Sequence, residues 1–336
     1  ASDVYKRQAV TMALSDRAEL TVGARWYDIE VDFEGSANSS FYNGFGNPDT
    51  QQFGSNLSAQ YAPGNANGYP DTAATDGVIG KVSYSWNKND DVMYYLTWSE
   101  GFRPGLLNRP AGRTSPDGSY SVPPSIDSDE VTNYEFGWKA VAMDGALRFN
   151  GSVYMVDVSG LQSTIFDPSI VNLFFSDNAA DAEIKGVEGD FMYFTGNGLV
   201  LSGAFSLLDT EITKSLVPTG DVVVGSDLAF APGFQANFSA RKEWGTKSGN
   251  TGHWQAQVNH SRASDSDIME PNRAQQGMYT LANIRAGVSN DSWTAEMYID
   301  NITDERAELS NTFVFDRQRI AVIRPLNLGF RYKVKF

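Results

Sequence analysis

The sequence predicts an all-β chain, an antiparallel up-and-down meander of about 12–14 strands that forms part of a transmembrane β-barrel. Three observations carry this. Segment after segment alternates apolar or aromatic residues with polar or small ones, which puts one chemistry on each face of a strand. Short connections alternate with long ones along the chain. The final stretch, Leu326 to Phe336, reads LNLGFRYKVKF, with Leu326, Leu328, Phe330, Tyr332, Val334 and Phe336 on one face. Asn327, Gly329, Arg331, Lys333 and Lys335 fall on the other. Its length suits a strand tilted through a bilayer, which needs about 9–11 residues. As a soluble edge strand it would invite aggregation.

Composition narrows the classes. The chain has no cysteine, which excludes disulfides and thiolate metal sites and suits an extracytoplasmic Gram-negative location. A net charge of −15 argues against a nucleic-acid partner. No apolar run reaches the ~18 residues of a membrane helix, whereas a barrel tolerates a polar residue at every second position. Residues 1–8, ASDVYKRQ, fit no pattern; they read as a possibly non-native leader on a chain that starts inside a longer gene, with residues 9–336 as the barrel portion.

In order, Gln8 to Leu14 reads as the end of a strand, and Ser15-Asp16-Arg17 as a turn. Leu20, Val22, Ala24 and Trp26 alternate with Thr21, Gly23, Arg25 and Tyr27. From Asp32 to about Thr75 the chain is rich in Gly, Asn, Ser and Gln without a sustained period, a long functional or disordered loop. Rows at Val78–Trp86 and Val92–Trp98 flank the tight turn Lys88-Asn89-Asp90, and a proline-rich loop runs from Arg103 to Asp127. Thr132–Ala140 and Leu147–Met155 flank Met143-Asp144-Gly145. Val187–Tyr193 and Leu199–Leu207 flank Gly196-Asn197-Gly198, a strong hairpin signal. Rows at Phe234–Ala240, Trp254–Val258, Ala282–Val288 and Trp293–Ile299 follow, with long loops at about 213–226, 263–276 and 303–324.

Alternate connections of such a meander lie at one end. Short turns at one end and long loops at the other are the pattern of outer-membrane barrels. Trp86, Trp98, Trp138, Trp254 and Trp293 lie near strand ends, where interfacial girdles are expected. The count of about 13 strands is odd, whereas bacterial single-chain barrels are even and plugged ones have about 22 strands, so the chain reads as a fragment.

With these residues in view the chain resembles the C-terminal barrel portion of TonB-dependent outer-membrane receptors, from about residue 9 to 336. Tyr94–Pro104 (YYLTWSEGFRP), Glu130–Lys139 (EVTNYEFGWK), Asn178–Glu188 (NAADAEIKGVE), Tyr298–Glu305 (YIDNITDE) and the terminal LNLGFRYKVKF are similar to family segments, in the family's order. The resemblance implies an importer in a Gram-negative outer membrane, not an enzyme, with lipid around it and a plug and TonB box upstream. It implies coupling to the TonB complex through that N-terminal part. The strand ending at Phe336 would be read by the barrel-assembly machinery. A ferric siderophore is the leading ligand, with haem, cobalamin and oligosaccharide as alternatives and a passive porin as the rival.

No catalytic, cofactor or metal site emerges. His260 lies near the outer end of a strand without a nucleophile motif, and His253 beside a short turn reads as solvated. Asp265, Asp267 and Glu270 lie in a loop where they bind a hard cation or are simply solvated. The candidate ligand contacts are loop residues. Arg103, Asn108 and Arg109, with Arg113, would form a cationic cluster for an anionic ferric chelate, or bond neighbouring acids. Phe41 and Tyr42, with Phe45, would stack on a ligand or pin the loop to the rim.

Overall fold

The structure, a computed structural model, describes residues 2–32, 72–108, 112–165, 167, 169–170, 174–218, 222–265, 274–314 and 317–334. The strands in chain order are β1 (Ser2–Ser15), β2 (Ala18–Asp32), β3 (Thr72–Asn87), β4 (Val92–Arg103), β5 (Leu106–Leu107), β6 (Ser125–Ile126), β7 (Asp129–Ala142), β8 (Leu147–Ile165), β9 (Phe175–Phe194) and β10 (Leu199–Ser215). They continue as β11 (Phe234–Gly245), β12 (Thr251–Ser261), β13 (Ser264–Asp265), β14 (Gln275–Gln276), β15 (Tyr279–Ser289), β16 (Trp293–Asp300), β17 (Glu308–Val314), β18 (Arg317–Val322) and β19 (Asn327–Val334). Thirteen of them make one antiparallel sheet in sequence order, and three two-stranded ribbons, β5–β6, β13–β14 and β17–β18, lie within connections. The up-and-down meander is therefore as the sequence predicts. The strand expected to end near Leu14 begins earlier, because residues 2–8 pair with residues 24–30 of β2.

Connections of two to five residues alternate with ones of 9 to 39, and all the long ones fall at one end. The sheet curls: one hollow of about 620 Å³ is lined by residues from Tyr95 on β4 across to Tyr279 on β15. That is the concave side, and it carries the polar rows. The apolar rows lie on the convex side and are open. Val78, Leu96, Phe136, Val153, Phe238, Met297 and Phe330 are all among the exposed large hydrophobics, and no tryptophan among the described residues is buried.

Close approaches on the concave side need glycine, and two show the pattern. A Cβ on Gly137 would lie 2.3 Å from the Tyr95 ring, and one on Gly186 would lie 2.2 Å from the Tyr154 ring. Each tyrosine lies flat across the next strand and fills the space its glycine leaves.

The buried apolar core is elsewhere. It joins Tyr120, Val122, Val158, Ile165, Phe175, Ala180, Ala182 and Ile212, with Val156 and Ile184 packed against them. These belong to the long-loop ends of β8, β9 and β10 and to the connection between β4 and β7. The alternating rows read from the sequence reach Met155 and Leu207, and the strands continue beyond them to Ile165 and Ser215. The reason is a change of phase. Along β8 the apolar residues are Leu147, Phe149, Val153 and Met155 and then Val156 and Val158, so they move from the convex to the concave face. β10 does the same after Leu207, and β9 before Val187. The switch is level across the three strands, since Val153 pairs with Val187 and Val187 with Leu207. A bulge follows on β8 between Val158 and Leu161, where Gly160 takes φ of 65°, and another on β10 between Ile212 and Lys214.

Candidate functional site at the long-loop mouth

The long-loop end of the concave side is the candidate site, and the connection between β4 and β7 dominates it. Arg103 closes β4 and Asp129 opens β7, and they face each other in register. The buried Asp129 carboxylate accepts the Arg103 main-chain N–H at 2.9 Å and its Nε–H at 2.6 Å. An Arg103 NH2 group also donates to the Gln162 carbonyl at 3.2 Å. The pair therefore clamps the base of the loop.

Beyond the clamp the chain folds over the ends of β8 and β9. The Asn108 amide donates to the carbonyls of Pro123 (3.0 Å) and Ser176 (2.7 Å), and its oxygen accepts the Ser176 N–H (2.8 Å). Asn178 reciprocates from β9, accepting the Asp127 N–H and donating to the Asp127 and Gly160 carbonyls. Tyr120 donates its hydroxyl to Asp177 at 2.6 Å and sets its ring against Phe175, with centroids 6.0 Å apart. Burial first, then the hydrogen bond to the Asp177 carboxylate and its charge, push the Tyr120 phenol well above its ordinary pKa. Val122 beside it is fully buried. At the exposed tip, the Ser115 and Ser119 hydroxyls and the Ser119 N–H hold the Asp117 carboxyl down at about 2.

Among the described residues, the connections from β10 to β11, from β12 to β15 and from β16 to β19 touch one another. The Phe230 N–H donates to the Asp265 carbonyl (2.8 Å), Gln276 reaches the Leu309 carbonyl, and Asn311 donates to the Gln275 carbonyl (2.9 Å). Asn301 pins the last connection by donating to the Glu305 and Arg324 carbonyls. A collar of connections thus stands above the hollow. The hollow is lined by Asn150, Glu188, Asp190, Gln235, Asn237 and Asn259, with Lys139 as its cation.

The structure brings Arg103 and Asn108 to the mouth, where both hold the loop by the contacts above. Phe41, Tyr42, Phe45 and Arg109 lie outside the described residues, as do Asp267 and Glu270. Asp265 accepts from the Gln275 side chain (2.9 Å), and no cluster able to hold a metal ion occurs among the described residues. His253 corrects one expectation: it is buried, not solvated. Its Nε2 lies 3.2 Å from Glu296, and Glu296 lies 3.6 Å from Arg331, an array on the concave face below the hollow. His260 bonds Thr280 at 2.8 Å. Sequence reasoning missed Asp129, Tyr120 and Val122. The only signal was indirect: Asp129 immediately precedes EVTNYEFGWK, and Asn178 opens NAADAEIKGVE.

A one-layer antiparallel sheet, apolar outside and polar inside, with all long loops at one end, defines an outer-membrane β-barrel wall. The "TonB dependent receptor-like, beta-barrel" family model matches residues 9–302. The chain belongs to that family, whose members are Gram-negative outer-membrane receptors. Among solved structures it is similar to the ferric yersiniabactin uptake receptor FyuA from Yersinia pestis, at TM-score 0.75 and 18% identity, covering 99% of this chain and 45% of that one. It is also similar to the copper transporter OprC, at 0.72 and 14%, covering 99% and 48%. The pyoverdine receptor FpvA from Pseudomonas aeruginosa PAO1 matches at 0.65 and 16%, covering 99% and 42%. The chain spans less than half the length of these proteins.

Proposed function

We propose that this chain is the C-terminal wall of a receptor that imports a ferric siderophore with energy supplied through TonB. It acts as part of a transporter and not as an enzyme. The carrying observation is the change of phase at Val153, Val187 and Leu207. Below it, Leu147–Met155 presents an apolar convex row of the ~9–11 residues a tilted strand needs to cross hydrocarbon. We take lipid to cover that row. Above it, the strands continue out of the bilayer and support a folded loop with its own core. A passive pore has no need of such an extension, whereas a receptor needs a fixed seat for a ligand. The similarity to the ferric yersiniabactin uptake receptor FyuA and to the pyoverdine receptor FpvA supports the same reading.

In this reading the TonB complex is met by a part of the receptor outside this chain. The strand ending at Phe336 is the signal for the barrel-assembly machinery. Phe41, Tyr42 and Arg109 are the ligand contacts, and Arg103 and Asn108 hold the loop to which Arg109 belongs. Growth tests the reading. A strain deleted for the complete gene should lose growth on one ferric siderophore under iron limitation and regain it from a plasmid copy. Growth that follows haem, cobalamin, copper or an oligosaccharide instead would replace the ligand, and uptake independent of TonB would favour a porin.

A further inference from the structure

We infer that Phe230 is a stacking seat for an aromatic ring of the ligand, and that the imported chelate holds its iron through oxygens borne on such rings. The inference rests on the siderophore reading and narrows it. Iron(III) is chelated by hydroxamates, which need no ring, or by catecholates and phenolates, whose donor oxygens stand on one. A receptor for the second kind gains from a fixed aromatic face.

Phe230 offers that face in a conformation that folding alone does not favour. Its φ is 57°, in the left-handed region that crowds the Cβ of any residue but glycine. Among the described residues the other non-glycine positions of positive φ are Met143 and Asp144, in the tight turn between β7 and β8, and Asn301 and Asp304, short polar residues that tolerate it. Phe230 is instead a bulky ring within the long connection 216–233, and it is 52% exposed, so the core gains little from it. The backbone is pinned on both sides of it. The Phe230 N–H donates to the Asp265 carbonyl at 2.8 Å, and the Leu228 N–H donates to the Thr210 hydroxyl at 3.0 Å. The Gly233 carbonyl accepts the Leu208 N–H at 3.1 Å.

Phe230 lines a recess of about 90 Å³ together with Arg262, Gln276, Tyr279, Glu308 and Leu309. The recess shares Gln235, Ser261 and Tyr279 with the hollow of about 620 Å³, which places it on the concave side, within the collar. It has room for one ring, whereas the hollow has the ~300–1,000 Å³ of a small-molecule site and can take the body of the chelate. The Glu308 carboxylate is already bonded by the Asn311 amide at 3.2 Å. The Arg262 guanidinium and the Tyr279 hydroxyl have no hydrogen-bond or ion-pair partner among the described residues. Two open donors beside an apolar face suit a ring whose edge carries oxygen acceptors.

The test uses the receptor expressed from its complete gene and purified in detergent. Its affinities for two ring-bearing iron(III) complexes, a tris-catecholate and a salicylate-type phenolate, and for a ringless tris-hydroxamate are measured at about 0.5 M salt, where charge is largely screened. The better of the ring-bearing pair should bind about tenfold or more tightly than the hydroxamate. Phe230→Leu, which keeps an apolar side chain without a ring, should erase that preference. Phe230→Gly should erase it too without lowering the thermal unfolding temperature, because glycine adopts the same φ uncrowded. A hydroxamate that binds as well as or better than both others overturns the inference and leaves siderophore import standing. So does a preference that survives Phe230→Leu. A Phe230→Gly receptor that unfolds at a markedly lower temperature makes Phe230 a packing residue and overturns the inference as well. If none of the three complexes binds, import of ferric siderophores falls and the inference falls with it.

Discussion

The lower and upper halves of β8, β9 and β10 are the same strands with opposite solvents. Below the level of Val153, Val187 and Leu207 the convex face is greasy and the concave face is polar. Above it Asp157, Glu183 and Glu211 stand outward in register while Val158, Ala182 and Ile212 are buried inward. The lower half resembles a protein turned inside out, and the upper half an ordinary soluble domain. One backbone ladder serves both, because a pleated strand keeps its hydrogen bonds whichever face is apolar. What changes is only which residues must leave water. The difference teaches that the apolar cluster under the loop, not the wall, is where conventional core energetics apply.

The largest expected effect breaks the upper half alone. Ile212 is fully buried, so Ile212→Asp places an unpaired charge in that core and should cost on the order of 3–5 kcal/mol. Limited proteolysis should then cut the connection between β4 and β7 while the lower wall remains resistant. Simultaneous loss of both halves would show that they fold as one unit and that the division is only descriptive.

Asn108→Ala should act next, on the loop rather than on its support. It leaves the Pro123 and Ser176 carbonyls and the Ser176 N–H without their partner, at a cost of about 1–3 kcal/mol. Amide hydrogen exchange should rise at Ser176 and through residues 112–126, and not at β11 to β19. A change in ligand affinity without faster exchange would make Asn108 a contact instead of a latch.

The same division explains what the sequence did and did not disclose. The lower wall was legible because a period of two runs unbroken through 147–155 and 199–207, where a single apolar solvent selects every second residue. The upper ends of the strands were left unassigned because Met155 and Val156, or Leu207 and Leu208, place two apolar residues in succession. That pair ends the alternation on paper while the strand continues in space. The clamp was half legible. Arg103 was evident as a cation after a motif, but its partner Asp129 lies 26 residues on, and only the register of β4 with β7 brings the two together. Asn108 was picked for its place in a long loop, and it turned out to bond main chain, which no local pattern announces. His253 was misjudged because its neighbourhood in sequence is a turn, whereas its neighbours in space are Glu296 and Gly287 on other strands.

Tyr120 offers a pH probe of the upper half. Its phenol is held neutral by burial and by Asp177, so its folded pKa lies above the ordinary value of 10.0. Stability from this group is complete below pH 10. Above that, the unfolded chain ionises first, and the contribution falls as pH rises towards the folded pKa. Protease resistance of residues 112–126 should therefore be flat from neutral pH to about 9 and decline beyond 10. Tyr120→Phe should lose about 1–2 kcal/mol at neutral pH through the vacated Asp177 bond and flatten the alkaline decline. A decline of equal steepness in the variant would assign it to other groups.

The smallest effect tests the boundary itself through its sign. Asp157 pairs in register with Glu183, and Glu183 with Glu211, so three carboxylates stand side by side on the convex face. Like charges directly opposite on a sheet destabilise by about 0.2–1 kcal/mol, so Asp157→Asn should stabilise by no more than that. Four residues lower on the same face Val153 is 46% exposed and, in the proposed bilayer, faces hydrocarbon. Val153→Asn puts an amide there and should destabilise by about 1–3 kcal/mol. Urea unfolding from lipid vesicles measures both, and reconstitution in a shorter-chain lipid supplies the control. Thinning the hydrocarbon should shrink the Val153 penalty while leaving the Asp157 gain unchanged, because only the first depends on where hydrocarbon ends. Two substitutions of the same sign and size, indifferent to lipid length, would place both residues in water and remove the level that separates the halves.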